Sequence, residues 1–158
     1  MLDASAPDAG LDADLALISE VAREAGELSL HWLKKGARSW NKSPNNPVTE
    51  ADIACNDLIA RRLRPARPDY GWLSEETRDN AQDRSQKRVF VVDPIDGTKA
   101  FVNGETGFCV SIAIIEDGAP IAGVVYNPNF DELVGARAGG GTHLNGARVE
   151  MTDADSLS

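Results

Sequence analysis

Apolar residues recur along the first part of the chain in steps of three and four. From Leu11 to Lys35 they fall at Leu11, Leu15, Ile18, Val21 or Ala22, Ala25, Leu28 and Trp32, with Glu20, Arg23, Glu24 and Glu27 largely elsewhere. That spacing predicts one amphipathic helix, with Gly36 as its stop. Met1–Gly10, rich in Ala, Asp and Pro, reads as a short flexible lead and lacks the basic and apolar regions of a signal peptide. Trp40–Pro47 consists of turn-formers and predicts a loop. Thr49 and Asp52 then form a Thr-x-x-Asp sequence ahead of Ile53, Ala54, Leu58, Ile59 and Leu63. This resembles a capping box opening a second helix, which Pro65 would end.

Beyond Pro65 the rhythm changes. Trp72-Leu73 predicts a short strand delivering Glu75 and Glu76, and Thr77–Lys87 reads as a polar, mobile surface loop. Val89–Val92 is a continuous apolar run, consistent with a buried strand that stops at Asp93-Pro94. Phe108–Ile115, Ile121–Tyr126 and Glu132–Ala136 follow as β-like runs, split by Asp117-Gly118 and Asn127-Pro128-Asn129. Connections this short join antiparallel neighbours. Asn145-Gly146 adds a further tight turn. With no repeat and no linker, the expectation is a single layered α+β domain over residues 11–158. Its two N-terminal helices would pack on a largely antiparallel sheet.

Composition narrows the function classes. The chain has 158 residues, one domain's worth, and 42% of them are hydrophobic, enough for a core. Its 16 Lys and Arg against 25 Asp and Glu leave a net charge of −9. That balance argues against nucleic acid polymers and anionic membranes as partners, since both demand clustered basic charge. No apolar run approaches the ~20 residues of a membrane span. Cys55 and Cys109 lie far apart, forming neither a disulfide framework nor a zinc site. A cytoplasmic location is therefore expected.

Candidate chemistry concentrates in Asp93-Pro94-Ile95-Asp96-Gly97-Thr98. Two carboxylates three residues apart follow directly on a buried strand. Pro94 fixes φ, and Gly97 permits a sharp bend where a ligand can approach. Crowded carboxylates raise each other's pKa, and a hard divalent cation such as magnesium relieves the repulsion. If Lys99 and Ala100 begin a short helix, the Gly97 and Thr98 N–H groups form an anion site beside the metal. Alone, the hexapeptide also reads as two ordinary surface turns. Likewise Glu75-Glu76 reads alone as a solvated pair, Asp52 as a helix-capping residue, and Lys42 as a solvated loop lysine. In an extended segment only one of Glu75 and Glu76 would face Asp93. Carboxylates held across a sugar for glycoside hydrolysis fit poorly, because these acids converge on one turn.

Taken together, VTEAD (Val48–Asp52), LSEE (Leu73–Glu76) and DPIDGTKAF (Asp93–Phe101) resemble, in order and spacing, the inositol monophosphatase superfamily of magnesium-dependent, lithium-sensitive phosphatases. GVVYNP (Gly123–Pro128) and the Gly-rich stretch before Leu144-Asn145-Gly146 resemble the family's next β segment. The resemblance implies the first half of that family's fold and hydrolysis of phosphate monoesters by an activated water. Glu75, Asp93 and the Ile95 carbonyl would hold a first Mg²⁺. Asp93 would bridge to a second that Asp96 also binds, within a complete family site of two or three ions. Thr98, oriented by Asp52, would position and deprotonate the attacking water, with Glu76 as a supporting acid. Gly97, Thr98 and Lys42 would bind the substrate phosphate.

The implied substrate is a small phosphorylated metabolite. LSEE and Lys99 are more similar to the nucleotide-bisphosphate branch than to the inositol monophosphate branch; histidinol phosphate and fructose bisphosphate remain open. Family members often pair as homodimers. They also carry a later Trp-Asp motif whose Asp completes the second metal site, and no such motif occurs here. The chain is therefore expected to lack the family's C-terminal half, which leaves a non-catalytic Mg²⁺- or phosphate-binding or assembly module as the alternative. Loss of that half would also bare one apolar face of the sheet and favour self-association.

Overall fold

The computed structural model describes residues 5–36, 39–43, 46–77 and 80–150. Helix α1 (Ser5–Lys35) is followed by strands β1 (Ser39–Ser43) and β2 (Asn46–Thr49), then helix α2 (Glu50–Ala66). Strand β3 (Gly71–Ser74), the short helix α3 (Ala81–Arg84), strand β4 (Arg88–Asp96) and the short helix α4 (Thr98–Val102) come next. The chain then runs through β5 (Cys109–Glu116), β6 (Ala119–Asn127), β7 (Glu132–Arg137), β8 (Gly141–Leu144) and β9 (Ala147–Val149).

Among the described residues β1 and β2 form a hairpin, and the other seven strands form one sheet in the order β3-β4-β5-β6-β7-β8-β9. From β4 to β9 every neighbour pairs antiparallel, whereas β3 joins the edge in parallel with β4. The expected α+β layering therefore holds, with one parallel edge pair. Both tight turns conform to their residue chemistry: Asp117-Gly118 and Asn145-Gly146 carry positive φ at both positions, matching the twist of their flanking strands.

Three expectations shift. The flexible lead expected over Met1–Gly10 is helical from Ser5, and residues 1–4 lie outside the described part. Pro7 in a first turn forfeits only an N–H that no carbonyl would receive. The loop expected over Trp40–Pro47 is largely the β1–β2 hairpin, with Trp40 opposite Val48. In the polar stretch Thr77–Lys87, Ala81–Arg84 closes one helical turn. Asn80 starts it by accepting the Gln82 N–H on its side chain at 2.8 Å.

One face of the sheet is covered. Ile18, Val21, Ala22 and Ala25 of α1 and Cys55, Ile59 and Leu63 of α2 bury against Phe90, Val92, Val110, Ile112, Ile114 and Val124. A polar anchor sits within this layer. Asp14 is 2% exposed, yet it accepts Arg67 Nε and the Tyr70 hydroxyl, each at 2.7 Å, fastening α1 to the end of α2. On the opposite face Val125, Val134 and Leu144 are exposed and aligned by register, Val125 beside Val134 and Val134 beside Leu144.

The covering helix lies close because Gly26 has no side chain. A Cβ there would stand 2.5 Å from Tyr126 Cε2, inside contact distance. Gly26→Ala should therefore cost about 1–3 kcal/mol through overpacking. Gly10, in the same helix with nothing within 4 Å of its would-be Cβ, should gain about 0.5–1 kcal/mol as Gly10→Ala. Opposite shifts in denaturant midpoint for the two variants are the expected readout.

Candidate active site

Helix α2 begins at the site. Thr49 is its N-cap, and the capping box with Asp52 is complete. Asp52 Oδ2 accepts both the Thr49 N–H, at 2.9 Å, and the Thr49 hydroxyl, at 2.6 Å. Its other oxygen, Oδ1, accepts the Thr98 hydroxyl at 3.1 Å. Capping and positioning thus coexist in one buried carboxylate, one role per oxygen. The Thr98 hydroxyl has a second acceptor in the Ile95 carbonyl at 3.0 Å, so one proton faces two oxygens.

Strand β4 does not stop at Asp93-Pro94, as the sequence led us to expect, but continues to Asp96 through a bulge. Asp93 pairs with Ser111 and Asp96 with Cys109, so three steps on β4 match two on β5. Residues three apart on a regular strand point to opposite faces. Here the extra residue returns Asp96 to the face of Asp93. Pro94 fits this irregularity because it has no N–H to offer a ladder.

The chain then turns at Gly97, whose φ of 91° is ready for glycine alone, into α4. Lys99 and Ala100 lie in that helix, which begins one residue earlier, at Thr98. Phe101 and Phe108 bury against each other edge to face, centroids 5.0 Å apart, together with Ile95 and Ala51. This small apolar cluster holds the turn from behind.

The glutamates arrive from the sheet edge. Beyond Ser74 the chain leaves strand geometry, and Glu75 and Glu76 occupy a turn. The Glu75 N–H donates to the Val92 carbonyl at 3.3 Å, placing the turn beside the residue that precedes Asp93. Sequence reading missed what secures the other side. Asn56, on α2 one turn beyond Asp52, donates its amide to Thr77 Oγ1 at 2.9 Å and accepts the Ser74 hydroxyl. Its signal was only positional: a polar residue four places after Asp52, one turn further along the same helix face.

Charge reports how closely these groups gather. The Asp93 carboxyl is pushed up to about 7, first by burial and then by the charges of Asp96, Glu75, Asp52 and Glu76. Both glutamates act on Asp93 through their charge, Glu75 more than Glu76. Glu75, Asp96 and Gly97 are exposed, Glu76, Asp93 and Thr98 half-buried, and Asp52 and Ile95 buried. Lys42 lies on β1, and its side chain falls outside the described residues.

The donors are all oxygen, the set a hard cation prefers. Among the described residues no three His, Cys, Asp or Glu side chains close into a ready-made cage. Magnesium keeps several waters and binds through one or two carboxylates, so an open, negatively loaded donor set fits it.

A helix-backed sheet ending in an acidic bulge, beside a hydroxyl held by a helix-capping aspartate, defines a class of layered α+β proteins with an oxygen-rich site. The chain belongs to the inositol monophosphatase family, which residues 11–158 match. Inositol monophosphatase 2 of Solanum lycopersicum is 37% identical over 141 residues, covering 87% of this chain and 53% of that protein. The 3'(2'),5'-bisphosphate nucleotidase CysQ of Escherichia coli O157:H7 is 39% identical over 126 residues, 77% of this chain and 51% of that protein. The crystal structure of extragenic suppressor protein SuhB from Bartonella henselae superposes with a TM-score of 0.83 at 33% identity, covering 89% of this chain and 55% of that one. The chain spans about half the length of the curated relatives it matches.

The raised Asp93 carboxyl has a signed consequence. In the unfolded chain it ionises near pH 3.9, whereas in the metal-free folded chain it keeps its proton to about 7. Between those values the folded state binds more protons, so stability should fall as pH rises from about 4 to about 7. Thermal melts in chelator are expected to show that decline, and Asp93→Asn to flatten it.

Proposed function

We propose that this chain forms the metal- and phosphate-binding half of a Mg²⁺-dependent phosphomonoesterase acting on small phosphorylated metabolites. The observation carrying the proposal is the Thr98 hydroxyl bonded to Asp52 Oδ1 directly beside the acidic end of β4. Membership of the inositol monophosphatase family supports it. Glu75, Asp93 and the Ile95 carbonyl would hold one Mg²⁺, and Asp93 with Asp96 a second. When bound, such ions lower the pKa of water and neutralise phosphate charge.

The protein's own groups do the rest. Asp52 Oδ1 holds the Thr98 hydroxyl, which orients the attacking water and takes its proton toward that carboxylate. Glu76 is a supporting acid beside Asp93. The Gly97 and Thr98 N–H groups and Lys42 serve the phosphate oxygens, and Gly97 leaves room for close approach. The helix-end donors would share the charge that builds on the transferring phosphoryl group.

Substrates of two kinds follow from the relatives: a nucleotide bisphosphate, favoured by LSEE and Lys99, or an inositol monophosphate. Lithium sensitivity, a cytoplasmic location and homodimer formation belong to the same reading. None of the helices is long and apolar enough to cross a membrane among the described residues.

Phosphate release from adenosine 3',5'-bisphosphate and from inositol 1-phosphate, with Mg²⁺ or with chelator, tests the proposal. Mg²⁺-dependent turnover lost in Asp93→Asn by at least about a hundredfold is the expected outcome. Magnesium binding without turnover would instead identify the chain as a non-catalytic binding module. No magnesium binding at all would overturn the site assignment.

A further inference from the structure

The turn carrying Glu75 and Glu76 is secured at both ends by a single amide. Asn56 is 6% exposed and lies four residues after Asp52, on the same face of α2. Its carbonyl oxygen accepts the Ser74 hydroxyl, just before the glutamates, and its NH₂ donates to Thr77 Oγ1, just after them, at 2.9 Å. Each end has a further tie. Ser74 Oγ accepts the Glu76 N–H at 3.2 Å, and Thr77 Oγ1 accepts Trp72 Nε1 at 3.1 Å.

We infer that Asn56 is a positioning residue that fixes Glu75 and Glu76 against Asp93 for the divalent cation. The inference rests on the metal reading of the site given above. An amide suits the task for two reasons. It both donates and accepts, so one rigid side chain can hold two hydroxyl-bearing residues that flank the glutamates. It is also neutral, whereas a carboxylate there would add another negative charge to a site already crowded with them. Without the amide the Glu75 N–H keeps its bond to Val92, but both hydrogen bonds that join Ser74 and Thr77 to Asn56 of α2 are lost. Groups that orient metal ligands from behind act on affinity rather than on whether the ligands exist.

Calorimetric titration of the full chain with MgCl₂, on variants shown to be folded by circular dichroism, tests this. Asn56→Ala is expected to weaken Mg²⁺ binding roughly 10- to 100-fold. Thr77→Val, which keeps side-chain volume, should weaken it in the same direction, and Thr77→Ser, which restores the hydroxyl, should recover it. Packing alone would predict the reverse order for the two Thr77 variants. If Asn56→Ala does not fold, the Thr77 pair decides the matter. Wild-type affinity in folded Asn56→Ala, with binding abolished in Asp93→Asn, would overturn the positioning role and leave the metal site standing. Absence of Mg²⁺ binding in the unsubstituted chain would overturn both.

Discussion

Negative charge gathered at the end of β4 is the constraint around which this molecule is organised. Carboxylates left to themselves separate into solvent. Here their backbones hold them near one another, although Glu75 and Asp96 are exposed. Asp93 stands on a central strand, and Asp96 is turned back toward it by a bulge. Asp52 is fixed by its own helix cap, and the glutamates are tied to β4 through a backbone bond. Behind them Ile95, Phe101 and Phe108 close an apolar wall that water does not enter. The crowding shows in the Asp93 carboxyl, pushed up first by burial and then by its acidic neighbours.

Asp52 shows how economically local structure and chemistry are joined. A capping aspartate needs one oxygen for its backbone N–H and leaves the other available. The fold aims that second oxygen at Thr98, so the start of a scaffold helix fixes the direction of the Thr98 hydroxyl. Helix position and hydroxyl position are consequently one variable. Any displacement of α2 along its axis would carry the acceptor away from Thr98.

Much of this was legible in the residues alone, and what was not has identifiable causes. The three-and-four spacing from Leu11 to Trp32 located α1, because periodic burial is a property of local sequence. The Thr49–Asp52 pair located the start of α2 for the same reason. The start of α1 at Ser5 escaped, since Ala-Asp-Pro composition describes a helix N-terminus as well as a coil. The hairpin at Trp40–Val48 escaped because turn-forming residues hid short pairing segments. The bulge was invisible: Asp-x-x-Asp looks the same whether or not a strand adds a residue relative to its partner, and only the partner reveals it. Asn56 escaped for a related reason, since its two hydroxyl partners lie 18 and 21 residues away. Buried Asp14 likewise interrupts the apolar stripe of α1, and its partners Arg67 and Tyr70 are distant in sequence.

Strand β4 serves two masters along nine residues. Phe90 and Val92 point into the helix-covered interior, while Asp93 points the other way, and the bulge keeps Asp96 with it. An insertion or deletion in the regular part, between Arg88 and Asp93, would invert the facing of every residue on one side of it. Removing one residue at the irregularity itself would instead leave a regular two-for-two ladder, with both aspartates still on one face. The regular part of the strand, from Arg88 to Asp93, is thus held to a fixed length by the interior on one face and the acid on the other.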